Sequence, residues 1–429
     1  MTMELKKQSG ANIAIIGTGI SGLTCAHLLH ENHNVTLFEA NDYIGGHTHT
    51  VDVDVPEGQF AIDTGFIVFN DWTYPNFIKL MDKIGVLSQP SEMSFSVTNA
   101  GEDFEYNGHD LNSLFAQRRN LFRPRFLKML RDIVRFNKLC KNPDTLAEAA
   151  DQTLWSFIQK HGFGNTFAYQ YILPMCAAIW STSLEDIKAF PLRFFIQFFH
   201  NHGLLNITDR PQWHTIIGGS REYIAPLTQG FEDRIHLNTP VTSVETLPDN
   251  QIQLSTPNET QTFDQVIFAC HSDQALKILG NNASDLHQSV LGNIQYSDNE
   301  VVLHTDTKLL PKRKLAWASW NYYLSADPAS HERPATVTYN MNILQQLRAD
   351  TTFLVTLNNT PAIDKSKILQ TFHYTHPQFN EQSIAAQQRR NEICGQHGLH
   401  FCGAYWYNGF HEDGVRSALD VCQRFGAEL

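Results

Sequence analysis

The chain predicts an α/β protein with a doubly wound parallel sheet, and three observations predict it. Residues Asn12 to Ile16 are an apolar, β-branched run of the kind that forms a buried parallel strand. The run breaks into Gly17-x-Gly19-x-x-Gly22 and continues as Leu23, Ala26, Leu28 and Leu29, an apolar stripe at helical spacing. Asn34 to Phe38 then reads as a second strand that ends in an acid, Glu39. Strand, glycine loop, helix, second strand and terminal acid together make a dinucleotide-binding unit.

Each glycine has a role in that unit. Gly17 makes the tight turn, Gly19 lets the backbone approach a pyrophosphate, and Gly22 lets the helix pack closely on the strand. The pyrophosphate would rest on the amides that open the helix, at Ile20, Ser21 and Gly22, where free N–H groups and the helix dipole favour negative charge. Glu39 follows Gly19 by 20 residues, where an acid is needed to bind a ribose hydroxyl.

At 429 residues the chain is long enough for two domains, each with a core. Its 42% hydrophobic and 18% charged residues are those of a folded protein, and 28 phenylalanines suit a chain that lines an apolar pocket. A net charge of −12 argues against nucleic acid as a partner. The seven cysteines show no CxxC pair, which reads as reduced thiols in a cytoplasmic protein. Met1 to Ala11 lack the apolar centre of a signal peptide, and no window is long and apolar enough for a membrane span. His47-x-His49, His200-x-His202 and His373-x-x-His376 lack the companion ligands of a metal set, so no metal is expected.

Further along, Trp72 to Gly85 reads as a helix with Pro75 in its first turn, and Met93 to Val97 alternates as a strand does. Residues 117–141 then carry nine basic side chains and one acid, Asp132, with Phe126, Leu127, Leu130, Ile133, Val134 and Leu139 at helical spacing. Pro124 marks the start of the main helix. Two readings stand for this stretch: a solvated face on an ordinary helix, or docking on an anionic membrane surface from the cytoplasmic side. Asp151 to Phe199 is helical and rich in aromatic residues, with Pro191 to Phe199 as a core helix. Arg234 to Val244 reads as one strand, Gln251 to Phe263 as a small meander, and Asp264 to Cys270 as a buried strand ending at Ala269. Glu300 to His304, Ala335 to Tyr339 and Phe353 to Leu357 read as strands that could roof a cavity. The aromatic segment Ala316 to Tyr323 lies between the first two, as core or as pocket wall.

Ala40 to Thr48 contains a second glycine pair, Gly45-Gly46, followed by His47 and Thr48. Phe60 to Phe66 carries a hydrophobic-Asp-x-Gly segment with Thr64, Gly65 and Phe66. With Trp213 to Ser220 and Gly403 to Ala418, these stretches resemble the flavin amine oxidase and carotenoid desaturase superfamily over most of the chain. The resemblance implies FAD rather than NAD, held by the residues named above and by Val241, Ala269, Gly403, Glu412, Asp413, Gly414 and Val415. It implies a Rossmann-like FAD-binding domain of residues 1–90, 214–290 and 395–429, interleaved with an α+β substrate domain of residues 91–213 and 291–394. It also implies a C-terminal helix over 414–422 that points at the flavin, with Glu412 and Asp413 capping it or touching the ribityl chain. His47 stands where the family often has arginine, so pyrophosphate neutralisation is weaker or falls to a protonated histidine.

At finer grain, residues 45–50, 178–181, 317–322 and 409–414 resemble flavoproteins that accompany cyclopropane-fatty-acid-synthase-like methyltransferases. That implies an apolar fatty-acyl or phospholipid-acyl substrate, oxidised by hydride loss to a C=C bond, and a methyltransferase as partner. Trp320, Tyr405, Trp406 and His411 are the candidate substrate-lining residues, and no catalytic residue is assigned. The alternatives are a polyene, porphyrinogen or amine oxidase of the same fold, and a non-catalytic lipid-binding relative.

Overall fold

The computed structural model describes residues 10–149, 151–327 and 332–429. The polar residues 1–9, part of the stretch read above for a signal peptide, lie outside the described residues. The strand Asn12–Ile16 is central in a five-stranded, all-parallel sheet, with Asn34–Phe38 on one side and Gln265–Phe268 on the other. Ile235–His236 and Leu399–Phe401 form its edges. Ile13, Ala14 and Ile15 are fully buried, as both faces of a doubly wound sheet require. Parallel neighbours need long crossovers, so strands from the start, middle and end of the chain share one sheet. The helices Ile20–Leu29 and His411–Cys422 pack against each other, and Ser21 Oγ donates to the Gly414 carbonyl at 3.0 Å.

A second, seven-stranded sheet has the order Ile368–Pro377, Tyr296–His304, Leu354–Leu357, Val337–Asn340, Trp320–Leu324, Phe95–Asn99, Phe104–Asn107. One face of it meets the helices between 124 and 201. Their core takes much of the phenylalanine content, with Phe126, Phe136, Phe157, Phe167, Phe195 and Phe199 all buried. The strands Phe69–Asn70 and Ser88–Ser91 pair with Trp213–Ile216 in a small sheet between the two regions. Among the described residues no helix is long and apolar enough to cross a membrane.

Several elements fall where the sequence puts them. The helix Pro75–Ile84 stops at Gly85 in the left-handed region, and another starts at Pro124 and runs to Cys140. Three expectations are corrected. Arg234 to Val244 is two short strands in different sheets, because Asn238 takes φ +51° just before Pro240 and turns the chain out of the first sheet. The C-terminal helix starts at His411 rather than 414, since Asp413 accepts from the Phe410 amide at 2.9 Å and closes an earlier first turn. The strand Ile368–Pro377, ten residues long, was not foreseen.

Candidate functional site

The two sheets enclose a cavity of about 1670 Å³. Ligand pockets usually span about 300–1,000 Å³, so this one has room for a dinucleotide and a second molecule. One arm is walled by the glycine loop and its partners: Gly17, Gly19, Ile20, Ser21, Glu39, Ala40, Gly45, Gly46, His47, Thr64, Gly65, Phe66, Val241, Ala269 and Gly403 all line the cavity. The fold brings these together from three distant parts of the chain.

Gly22 does not line the cavity. A Cβ there would lie 2.0 Å from the Gly17 carbonyl oxygen, so the absent side chain is what lets the helix sit on its loop. Gly19 has open space where its Cβ would be, as an approach surface for a ligand requires. The second glycine pair crosses this loop, with a bridge between Gly19 and Gly45, and Gly46 at φ +59° packs on Gly19. No side chain caps the helix Ile20–Leu29, and its first backbone bond runs from the Leu23 amide to the Gly19 carbonyl. Its opening amides are therefore available to an anion.

Glu39 accepts from the Thr18 amide at 2.9 Å and hydroxyl at 2.7 Å, and from the Asn41 amide and side chain, both at 3.0 Å. The carboxylate is thereby fixed at the cavity wall. Four cavity-lining residues carry a polar atom shut from solvent with no partner in the protein: His47 Nε2 and Tyr405 OH, and the Nε1 groups of Trp180 and Trp320. Orphaned donors, free helix amides and a backbone-lined loop fit FAD, whose phosphates, ribose and ring would supply the missing partners.

Of the two expectations for His47, weaker pyrophosphate neutralisation or a protonated ring, its surroundings favour the first. His47 sits with its ring 5.6 Å from His271, 5.8 Å from His376 and 5.4 Å from Tyr374. Desolvation holds His47 below the ordinary histidine value and pushes His271 and His376 down to about 3. The cluster is neutral at physiological pH, so it offers hydrogen bonds rather than charge. His411 stacks on Phe66 at 3.6 Å, meets Thr48 Oγ1 at 3.0 Å, and is also held well below its ordinary value by burial. Thr48 and Tyr223 are bonded to each other beneath it.

Four C-terminal candidates lie off the cavity. Glu412 accepts from the Phe77 amide at 2.9 Å and the Asn76 side chain at 2.6 Å, so it caps the helix Pro75–Ile84 rather than touching a ribityl chain. Asp413 closes its own helix, and burial pushes its carboxyl up to about 7. Gly414 packs on Ile20 and Ser21, and Val415 is fully buried in the core. With the earlier helix start none of the four lines the cavity.

The other arm is apolar. Tyr171, Met175, Ile179 and Trp180 from the helical layer face Trp320 and Tyr339 from the seven-stranded sheet. Trp320 crosses Tyr339 edge-on at 5.0 Å. Trp406 does not line the cavity; it packs under Tyr405 with the Arg390 guanidinium over its ring. Among the described lining residues the one lysine is Lys277, on the helix Ser272–Leu279. The reading of the sequence missed Tyr374 and His376, which line the cavity from the unforeseen strand. Their signal was the alternation of Phe372, Tyr374 and His376.

The profile of the family described as flavin containing amine oxidoreductase matches residues 20–352. A flavin-containing monooxygenase of Arabidopsis thaliana is 34% identical over 90 residues, 19% of this chain, and the chain spans 17% of that relative's length. Among solved structures the fold is similar to a CLA-producing fatty acid isomerase from P. acnes, with TM-score 0.67 and 14% identity over 98% of this chain and 99% of that one. It is also similar to cyclohexylamine oxidase from Brevibacterium oxydans, with TM-score 0.65 and 14% identity over 97% and 98% of the two chains. A protein assigned as a protoporphyrinogen oxidase from an Exiguobacterium species gives TM-score 0.66 and 17% identity over 97% and 98%. At such identities the likeness is one of fold.

Proposed function

The chain belongs to the flavin-containing amine oxidoreductase family and is an FAD-dependent oxidoreductase, and from that premise we propose that its substrate is a lipid acyl chain. The substrate would lose a hydride from one carbon and a proton from its neighbour, leaving a C=C bond. Bound FAD supplies the hydride acceptor. The chain's own residues hold and enclose: Gly19, Ile20, Ser21 and Glu39 form the cofactor wall, and the apolar arm excludes water from the acyl carbons.

The observation that carries this reading is the apolar arm itself. Tyr171, Met175, Ile179 and Trp180 present carbon to a ligand. Glu92, a carboxylate on the cavity wall, is already bonded to Ser94 Oγ at 2.7 Å. An acyl chain gains about 0.8 kcal/mol for each CH₂ moved from water into such a surface. The fold likeness to a fatty acid isomerase agrees with an acyl substrate.

The test is an anaerobic visible spectrum of the FAD-loaded protein on adding unsaturated or cyclopropane-modified phospholipid, a primary amine, a polyene or a porphyrinogen. Bleaching of the flavin bands by the phospholipid alone is expected. Bleaching by one of the other three and not by lipid would overturn the substrate class. A spectrum that lipid shifts but never bleaches would make the protein a lipid binder without redox chemistry.

A further inference from the structure

We propose that the surface from Leu111 to Lys141 docks the protein on an anionic lipid bilayer and sets the mouth of the apolar arm against it. What passes through the mouth rests on the lipid-substrate reading; the docking itself does not.

Eleven large hydrophobic side chains are exposed among the described residues, and five of them fall in this one stretch: Leu111, Leu121, Phe122, Leu127 and Val134. Phe122 is 85% exposed and Leu111 77%. Clustered exposed apolar groups of this kind mark interaction sites, whereas single scattered ones do not. The same stretch concentrates nine cations on a chain of net charge −12. Its one acid after Gln117, Asp132, is buried and bonded to Lys128 at 2.7 Å. Arg125 is paired with Glu102, and Arg119 with Asp103. Arg131, Lys138 and Lys141 are exposed and have no acidic partner among the described residues.

The helix Pro124–Cys140 ties this surface to the cavity. Its buried face carries Phe126, Met129, Phe136 and Cys140. Phe126 packs on Tyr106 at 5.9 Å, and Tyr106 lines the cavity. Phe136 packs on Phe167 at 5.2 Å, and Phe167 on the cavity-lining Tyr171 at 5.8 Å. One face of the helix thus backs the cavity wall while the other presents cations and apolar groups to solvent. Gly108 and His109 are exposed and also line the cavity, and the exposed Leu111 follows His109 by two residues. An opening on that side meets whatever the surface binds.

A bilayer matches both halves of the pattern. Cations meet anionic headgroups while Phe122, Leu121 and Leu127 enter the acyl boundary. Nucleic acid or an acidic protein would answer the charges, but the first leaves most of the exposed aliphatic side chains without a partner.

The experiment is co-sedimentation of the FAD-loaded full chain with vesicles of phosphatidylglycerol or of phosphatidylcholine. Two variants accompany it: Arg131→Gln/Lys138→Gln/Lys141→Gln, and Phe122→Ser. Binding to phosphatidylglycerol is expected, with the triple variant weakened about 100-fold, at about 1 kcal/mol per cation. Phe122→Ser should weaken it about tenfold. All of these positions are exposed, so far-ultraviolet circular dichroism and flavin content should be unchanged. Failure of the parent to sediment with phosphatidylglycerol at low salt overturns the proposal, as does equal binding by the triple variant. Binding to phosphatidylglycerol that the triple variant weakens but Phe122→Ser leaves unchanged would be adsorption by charge alone, and would overturn the docking of the apolar side chains at the acyl boundary. None of these readouts uses turnover, so they stand apart from the test of the substrate class.

Discussion

The two arms of the cavity are built by different means. The cofactor arm is made of backbone: Gly22 and Gly46 approach the loop so closely that a side chain is excluded, and Gly19 leaves open space on the cavity side. The apolar arm is made of side chains, with Tyr171, Met175, Ile179 and Trp180 set against Trp320 and Tyr339. A backbone-lined site has little freedom to vary, because a single added carbon meets an oxygen or fills the approach. A side-chain-lined chamber can be reshaped residue by residue while the layers behind it hold. The cavity thus joins a fixed, backbone-lined seat to an adjustable, side-chain-lined one.

The largest effect should come from testing the fixed seat at two neighbouring glycines. Gly22→Ala drives a Cβ into the Gly17 carbonyl and should cost about 3 kcal/mol of stability. Gly19→Ala meets nothing in the protein, so it should melt like the parent without FAD yet retain less FAD after gel filtration. If the two variants lose stability equally, the distinction between packing and approach at this loop is wrong.

A smaller effect concerns His202, on the wall of the cavity beside Phe410. Its Nδ1 donates to the Phe198 carbonyl at 3.0 Å, and burial lowers it to about 4. Its unfolded value is near 6.5, so between pH 6.5 and 4 the unfolded chain binds the proton and the folded chain does not. Stability is therefore lost as pH falls through that window, by about 2 kcal/mol at pH 5. His202→Gln removes this loss, so its melting temperature relative to the parent should rise on going from pH 8 to pH 5. A pH-independent difference would contradict a neutral, buried His202.

The smallest change sharpens the adjustable seat. Met175→Gln keeps the volume of a half-buried wall residue but makes it polar. Flavin content should stay at the parent level while KM for an acyl phospholipid rises about tenfold, the loss of one apolar contact. A fall in flavin content instead would mean that the two arms are not separate.

How much the sequence revealed follows the same division. The cofactor arm was legible because its signals are local: the apolar strand, Gly17, Gly19, Gly22 and Glu39 lie within 28 residues. The apolar arm draws Tyr171, Trp180, Trp320 and Tyr374 from distant elements, and side chains of those types read equally well as core. The strand Ile368–Pro377 sits at a sheet edge, and its alternation of Phe372 and Tyr374 with polar His373 and Thr375 was a legible strand signal that the reading passed over. At the C-terminus Gly414 looked like a helix start, but Asp413, bonded back to the Phe410 amide, was the stronger signal. For His47 the sequence left two readings open, weaker neutralisation or a protonated ring, because its neighbours His271 and His376 come from elsewhere in the chain.

The most direct test of the joined seats is a single anaerobic turnover, with one equivalent of an unsaturated or cyclopropane-modified phospholipid per bound FAD. The lipid is then extracted and weighed by mass spectrometry. Loss of two hydrogens from the acyl chain, in step with bleaching of the flavin, is the predicted result. Lipid recovered with its mass unchanged, beside a flavin that stays oxidised, would contradict it.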